Sequence, residues 1–339
     1  MQITAALDLI KNKQLAPLLK VYGMLTPFYR LGYIAALANT GCLQILKNGP
    51  AALDELAASL GIASEHRDGL RAWLQVGVRL DEISLENGRY ALSGAARELA
   101  EAAQNDALLA LTEEVAALHH QLILKTPAQL QTGRPWTLND QDGALIARSS
   151  RILEPLQNEV IATLYPKDAA VRLLEVGCGS GIYIRQAARN NPRLTAVGVE
   201  LQAAVAAMAR QNLAEWGLAD QVVIETRDIR TKSFHAEFDL ATLYNNIYYF
   251  PVGERPALLQ HLRGCLKAGG RLIVTTGCQG GTLAMELLNL WGATTQGCDR
   301  LPDADELAAQ MESAGFEQIR KRNLLPGDAF YVFSGVRPA

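Results

Sequence analysis

From Val171 to Thr276 the chain alternates short strands with helices, and this alternation restricts its fold more than any other feature of the sequence. Strand 171–176 runs into a glycine-rich loop and helix 183–189, followed by strand 194–199, helix 202–216 and strand 222–226. Strand 238–243, helix 255–266, a turn at Lys267-Ala268-Gly269-Gly270 and strand 271–276 continue the pattern. Such an order builds a mostly parallel, doubly wound α/β sheet, with ligands at the carboxyl ends of its strands, beside the first one.

Three features fall on those ends. Gly177, Gly179 and Gly181 follow the first strand, where they let the backbone turn sharply and approach a ligand without Cβ clashes. Ile182 stands where a dinucleotide fingerprint places its last glycine, which argues against a nicotinamide cofactor. Glu175, just before the loop, can accept from a ligand's ammonium group. Glu200 ends the second strand, 19 residues after Gly181, where a carboxylate can accept both hydroxyl protons of a ribose. Asp228-Ile229 follow the third strand, an acid for an adenine amine and an apolar side chain for its ring. Either acid alone would be an ordinary loop residue; all three features in order leave the bland reading little room.

The first half reads differently. Residues 1 to about 35 are apolar and helical, with Leu18, Leu19, Tyr22, Leu25, Phe28, Tyr29 and Tyr33 near helical spacing, as core or subunit contact. Helices 53–60 and 64–78 precede two short strands, 82–85 and 89–92, joined by Glu86-Asn87-Gly88. Asn-Gly is a strong hairpin signal because both residues tolerate positive φ, and the whole reads as a winged helix. Between 51 and 92 four arginines face seven acids, so the wing is net negative and ill suited to nucleic acid. Residues 95 to about 165 read as alanine- and leucine-rich helices broken around Gly133-Arg134-Pro135-Trp136. The expected domains are 1–100, a helical winged-helix dimerisation domain; 101–165, linker helices; and 166–339, the α/β domain.

Composition sets outer limits. With 339 residues, 49% hydrophobic and 20% charged, the chain is a globular protein too long for one core of usual size. No apolar run approaches the roughly 20 residues of a membrane helix, so no membrane is expected as a partner. Met1-Gln2-Ile3-Thr4 does not look like the start of an export signal, and five cysteines without close pairs suggest reduced thiols; a cytoplasmic location is expected. His119-His120 point about 100° apart on a helix and do not chelate by themselves, so no metal is expected.

The segment Glu175-Val176-Gly177-Cys178-Gly179-Ser180-Gly181, with Glu200 and Asp228, resembles the class I S-adenosylmethionine-dependent methyltransferases. The winged helix with Gly88-Arg89-Tyr90-Ala91-Leu92, the linker helices and Ala314-Gly315-Phe316 before a last pair of strands extend the resemblance to the small-molecule O-methyltransferases with an amino-terminal dimerisation domain. It implies a seven-stranded Rossmann-like sheet, S-adenosylmethionine as methyl donor, a small-molecule acceptor and a homodimer. It also implies Glu175 near the donor's methionine portion, Glu200 and Leu201 at the ribose, Asp228 and Ile229 at the adenine, and Tyr244 and Asn245 as a wall after strand four. Arg148, Ser149 and Arg151 match the stretch lining the family's acceptor pocket, where two arginines can clamp an anion. Where the family carries a general-base histidine, this chain has Tyr248, and Asp299 falls roughly where the family has its accompanying acid. A tyrosine with a pKa near 10 is a poor base at neutral pH, whereas a sulfonium donor mainly needs alignment. In-line methyl transfer to oxygen with little acid-base help is therefore expected, with Tyr248 orienting the acceptor or acting as plain pocket wall. Transfer to an amine nitrogen or an enolisable carbon, or a donor-binding regulator without catalysis, are the alternatives.

Overall fold

The computed structural model describes residues 9–102, 105–164, 168–231 and 234–339. The first residues of the expected apolar helices and the expected boundary at 165/166 lie outside them. The chain divides into two compact units, one reaching to His120 and including Arg148–Ser150, the other comprising Gln121–Ala147 and Arg151–Ala339.

In the first unit, helices α1 (Leu15–Asn39), α2 (Cys42–Lys47), α3 (Leu53–Ser59) and α4 (Arg67–Arg79) surround a three-stranded sheet of β1 (Ala51–Ala52), β2 (Ile83–Glu86) and β3 (Arg89–Leu92), ordered β1-β3-β2. Asn87 and Gly88, at φ 49° and 75°, make the β2–β3 turn with both residues left-handed, so the wing forms as expected. Helices α5 (Gly94–Glu101) and α6 (Asp106–Glu114) follow.

One buried acid ties α1 to the wing. Glu82, 1% exposed, accepts the Ala96 backbone N–H at 2.7 Å and pairs with the Arg30 guanidinium at 2.8 Å, while Arg30 also donates to the Leu80 carbonyl. Nearby, the Tyr33 ring occupies the space that a Cβ on Gly77 would need. Leu19, Tyr22, Met24, Phe28 and Tyr29, by contrast, are exposed on α1.

In the second unit, helices α7 (His120–Thr132), α8 (Gly143–Ser149) and α9 (Glu154–Ala162) lead into the α/β sheet, with the ends of α7 and α8 crossing the unit boundary. The sheet and its helices run β4 (Arg172–Val176), α10 (Ile182–Asn190), β5 (Thr195–Glu200), α11 (Ala203–Glu215), β6 (Val222–Thr226) and β7 (Phe238–Tyr244). Then come α12 (Arg255–Cys265), β8 (Leu266–Gly277), α13 (Leu283–Thr294), α14 (Ala304–Ser313), β9 (Glu317–Asn323) and β10 (Phe330–Val336). The seven strands lie in the order β6-β5-β4-β7-β8-β10-β9, parallel except that β10 runs antiparallel to both neighbours. This is the mostly parallel, Rossmann-like sheet that the sequence predicts.

Alternate residues of the central strands feed two cores. Leu174, Val176, Leu243 and Val274 pack with α12 and α14 through Leu258, Leu262, Leu307 and Met311. Leu173, Leu240 and Ile273 pack on the other face with Val160, Ile161, Ile184 and Ala209 of α9, α10 and α11. The turn expected at 267–270 is absorbed into β8 as an irregularity: Phe238 pairs with Leu266 but Leu240 with Arg271, and Gly269 takes φ 75°. Gly269 N–H and Gly270 C=O bond Arg337, which keeps this excursion in the sheet.

Two glycines of α4 make a test of packing. Gly77→Ala is expected to destabilise the protein by about 1–3 kcal/mol, because Tyr33 must move. Gly69→Ala, with nothing within 4 Å of its added Cβ, is expected to stabilise by about 0.5–1 kcal/mol. Urea unfolding of the two variants against wild type measures both signs.

Candidate functional site

The loop leaving β4 is built around three left-handed glycines, Gly177, Gly179 and Gly181 at φ 64°, 54° and 79°. Gly177 is also demanded by space, since a Cβ there would collide with the Asn246 amide. That amide donates to the Val176 carbonyl at 2.5 Å, while Gly177 and Cys178 N–H both donate to the Val199 carbonyl. Gly179 is different: nothing lies within 4 Å of a Cβ built on it, so the loop opens to free space at the strand tips. Gly181 caps α10.

Around this opening stand the acids. Glu175 is 1% exposed, its Oε2 has no hydrogen-bond partner, and burial pushes its pKa up to about 8. Burial also holds the thiol of Cys178 and the hydroxyl of Tyr183 above their ordinary ranges. Glu200 accepts the Gly179 N–H at 3.1 Å and the Gln202 N–H at 3.0 Å, which orients its carboxylate beside the loop. A carboxylate offers about four lone-pair positions, so two remain for ligand hydroxyls. Leu201, the next residue, exposes 53% of its surface at the same strand tip. Asp228 is held in a fork by Arg230, with contacts of 2.7–3.0 Å, and that guanidinium keeps its carboxyl below the ordinary range. Arg230 in turn bonds Glu254 at 2.6 Å. Ile229 is buried in the core cluster that includes Val199 and Phe250.

After β7, Tyr244 packs edge-on against Tyr183 at 5.3 Å. Asn245 adopts φ 54°, donates its N–H to the Thr275 carbonyl at 2.6 Å, and leaves its side-chain oxygen buried without a partner.

A deeply buried acid with a free oxygen, an open glycine loop and an oriented second carboxylate fit a ligand with an ammonium group, a ribose and an apolar base. Residues 174–272, which span β4 to the middle of β8, match the family model of a methyltransferase domain. The chain carries a class I, S-adenosylmethionine-dependent methyltransferase domain.

Solved structures extend the likeness in fold to nearly the whole chain. Mitomycin 7-O-methyltransferase is 18% identical, with a TM-score of 0.76, covering 97% of this chain and 100% of its own. Human N-acetylserotonin methyltransferase, solved with S-adenosylmethionine, is 14% identical with a TM-score of 0.72, covering 96% and 98%. The N,N-8-amino-8-demethyl-D-riboflavin dimethyltransferase of Streptomyces davawensis is 17% identical with a TM-score of 0.70, covering 94% and 98%. A search of curated protein sequences finds no match.

In this methyltransferase, Tyr248 is 3% exposed and clusters with Met285 and Leu301. Its carbonyl accepts the Asp299 N–H at 3.0 Å, so the structure brings these two residues together. The Asp299 carboxylate accepts from the backbone N–H groups of Val252 at 3.0 Å and Arg300 at 2.8 Å, clasping two loops. Gly292 of α13 packs against the Asp299 carbonyl and faces Tyr248.

Arg148 pairs with Asp106 at 2.7 Å and Glu113 at 3.5 Å in the first unit. Ser149 is buried, and Arg151, in the second unit, pairs with Glu154 at 3.1 Å.

Sequence reasoning missed Asn246, Gln157, Thr242 and Arg255. Arg255 is fully buried, donating to the carbonyls of Phe250 at 3.0 Å and Arg300 at 2.5 Å; burial lowers its pKa, opposed by nearby Asp299. Only Thr242 carried a signal, as a polar residue inside the apolar run Leu240-Ala241-Thr242-Leu243.

The Glu175 value makes a test. An unfolded glutamate releases its proton near pH 4.3, whereas the folded one keeps it to about 8. The native state therefore binds more protons in that window, and stability falls as pH rises from about 4.5 to about 8. Glu175→Gln, neutral at every pH, is expected to flatten this slope and to raise the melting temperature of donor-free protein at pH 8. Melting curves across the pH range measure it.

Proposed function

We propose that this chain transfers the methyl group of S-adenosylmethionine to an oxygen of a small-molecule acceptor by in-line displacement. The observation that carries this reading is the open glycine loop with the free oxygen of Glu175 below it and the oriented carboxylate of Glu200 beside it. The bound sulfonium supplies an electrophilic methyl, so the protein's task is alignment and exclusion of water. Glu175 would hold the ammonium end, Glu200 and Leu201 the ribose, and Gly177, Gly179 and Gly181 leave room for the backbone to approach. Asp228 and Ile229 would border the adenine, with Arg230 fixing the acid's direction. Tyr244 and Asn245 would wall the donor on the β7 side.

On the acceptor side, Tyr248 sits among apolar side chains and Asp299 is engaged with two backbone N–H groups. This favours positioning over proton abstraction, so the acceptor is one that ionises easily. Arg148 and Arg151 each have carboxylate partners, which speaks against their clamping a carboxylate of the acceptor. Nitrogen is the second reading: an amine needs no strong base, and the riboflavin-type dimethyltransferase named above has this fold.

We further propose a domain of about residues 1–100 that forms a homodimer, linker helices over 101–165 and a catalytic domain over 166–339, in a cytoplasmic enzyme without nucleic-acid partners. The exposed apolar residues of α1 support self-association. Arg67, Arg71 and Arg89 pair with Asp54, Asp68 and Glu55, leaving the wing little charge for phosphates. No helix among the described residues is long and apolar enough to cross a membrane. Among the same residues there is no cluster of three or more His, Cys, Asp or Glu that could hold a metal.

Calorimetry is expected to show binding of S-adenosylmethionine and its demethylated product by wild type and none by Gly177→Val, where the new side chain meets Asn246. Incubation with methyl-labelled donor is expected to mark phenols in a panel that also contains amines and 2-oxo acids. Label on amines alone would move the reading to nitrogen, and no donor binding by folded wild type would end it. For the dimer, Leu19→Glu with Met24→Glu on exposed α1 positions is expected to shift gel filtration from dimer to monomer.

A further inference from the structure

Three side-chain oxygens on one face of the sheet are buried and have no hydrogen-bond partner: Glu175 Oε2 on β4, Thr242 Oγ1 on β7 and Gln157 Oε1 on α9. Their residues are 1%, 0% and 0% exposed. Glu175 and Thr242 are register partners on adjacent parallel strands, so their side chains leave the same face side by side. Gln157 reaches that face from the helix above it, and its Nε2 donates to Thr275 Oγ1 at 2.5 Å. Thr275 pairs with Tyr244, two residues along β7 from Thr242 and on the same face. Glu175 and Thr242 are thus direct neighbours across β4 and β7, and Gln157 is anchored one strand further on, at Thr275 of β8, toward the same strand ends.

Each unpartnered oxygen leaves its desolvation uncompensated, and three together in an otherwise apolar layer call for a common donor. A primary ammonium has three N–H donors and no acceptor, which is the complement of three acceptors. A carboxylate or a carbonyl would set its lone pairs against the amide oxygen of Gln157 and the carboxylate of Glu175, leaving only the Thr242 hydroxyl able to donate to it. The Gln157–Thr275 bond spends the amide's donor side on the sheet, leaving its oxygen for the ligand.

We propose that Thr242 and Gln157 complete, with Glu175, a three-oxygen seat for the α-ammonium of the donor's amino-acid end, and that these two residues make donor recognition depend on that group. This rests on the donor-site reading above. Thr242 and Gln157 are then binding residues that set donor specificity, selecting the whole amino-acid nucleoside over its fragments.

The probes are S-adenosylhomocysteine, which carries the ammonium, and 5′-methylthioadenosine, which shares the nucleoside and lacks it. Calorimetry is expected to show Thr242→Val and Gln157→Leu each weakening S-adenosylhomocysteine by about 10-fold while leaving 5′-methylthioadenosine within about twofold. Thr242→Ser, which keeps the hydroxyl, is expected to bind near wild type, and thermal melting confirms that each variant is folded. Unchanged S-adenosylhomocysteine affinity in the folded variants, or an equal loss for both ligands, would overturn the proposal. A wild type that binds both ligands equally tightly would sink it and leave the donor site standing; one that binds neither would sink both.

Discussion

Where β4 gives way to its loop, the main chain is held from both sides at once, and the position of the glycine loop depends on this. From the β7 side, the Asn246 amide holds the Val176 carbonyl; from the β5 side, the Val199 carbonyl takes two consecutive N–H groups, and the Glu200 carboxylate takes that of Gly179. A loop of three left-handed glycines would otherwise sample many conformations, because glycine pays the largest backbone entropy on ordering. Here its polar groups are fixed by neighbours on two strands. The loop is thus in place before a ligand arrives, and the ordering cost falls on folding rather than on binding.

What the sequence made legible follows from how far apart the interacting residues lie in the chain. The order of strands, the glycine loop, Glu175 and Glu200 are set by local pattern, and the sheet places them as expected. The Asn87-Gly88 turn is equally local. The partners that matter most to the site are not: Asn246 meets Val176, Gln157 meets Thr275, and Arg255 meets Arg300 only once remote segments have packed. Gln157 lies on a helix whose sequence offers no hint that one polar side chain turns inward. Arg255, at a helix start, reads as a solvated charge and is in fact fully buried. The turn expected at 267–270 is instead part of β8, where partner strand β7 and Arg337 reduce it to a register irregularity.

Tyr248 and Asp299 meet through the backbone. The backbone contact between the two loops is present, and the acid is used to clasp them. Around Tyr248 the packing is close, with Met285, Leu301 and Leu288 against it. Such a site suits a reaction whose barrier is lowered by orientation, the part of catalysis that a rigid wall supplies.

The antiparallel strand β10 follows β8 and β9 in the chain yet lies between them. Edge strand β9 therefore joins the sheet only through a neighbour that is made after it, and β8 keeps an unpaired margin until that neighbour arrives. A chain cut short before Phe330 would lose two strands rather than one and would present the bare margin of β8, lined by Ile273 and Val274, to any other extended chain. Order of arrival, as much as the contacts themselves, would then decide whether this half of the molecule folds or aggregates.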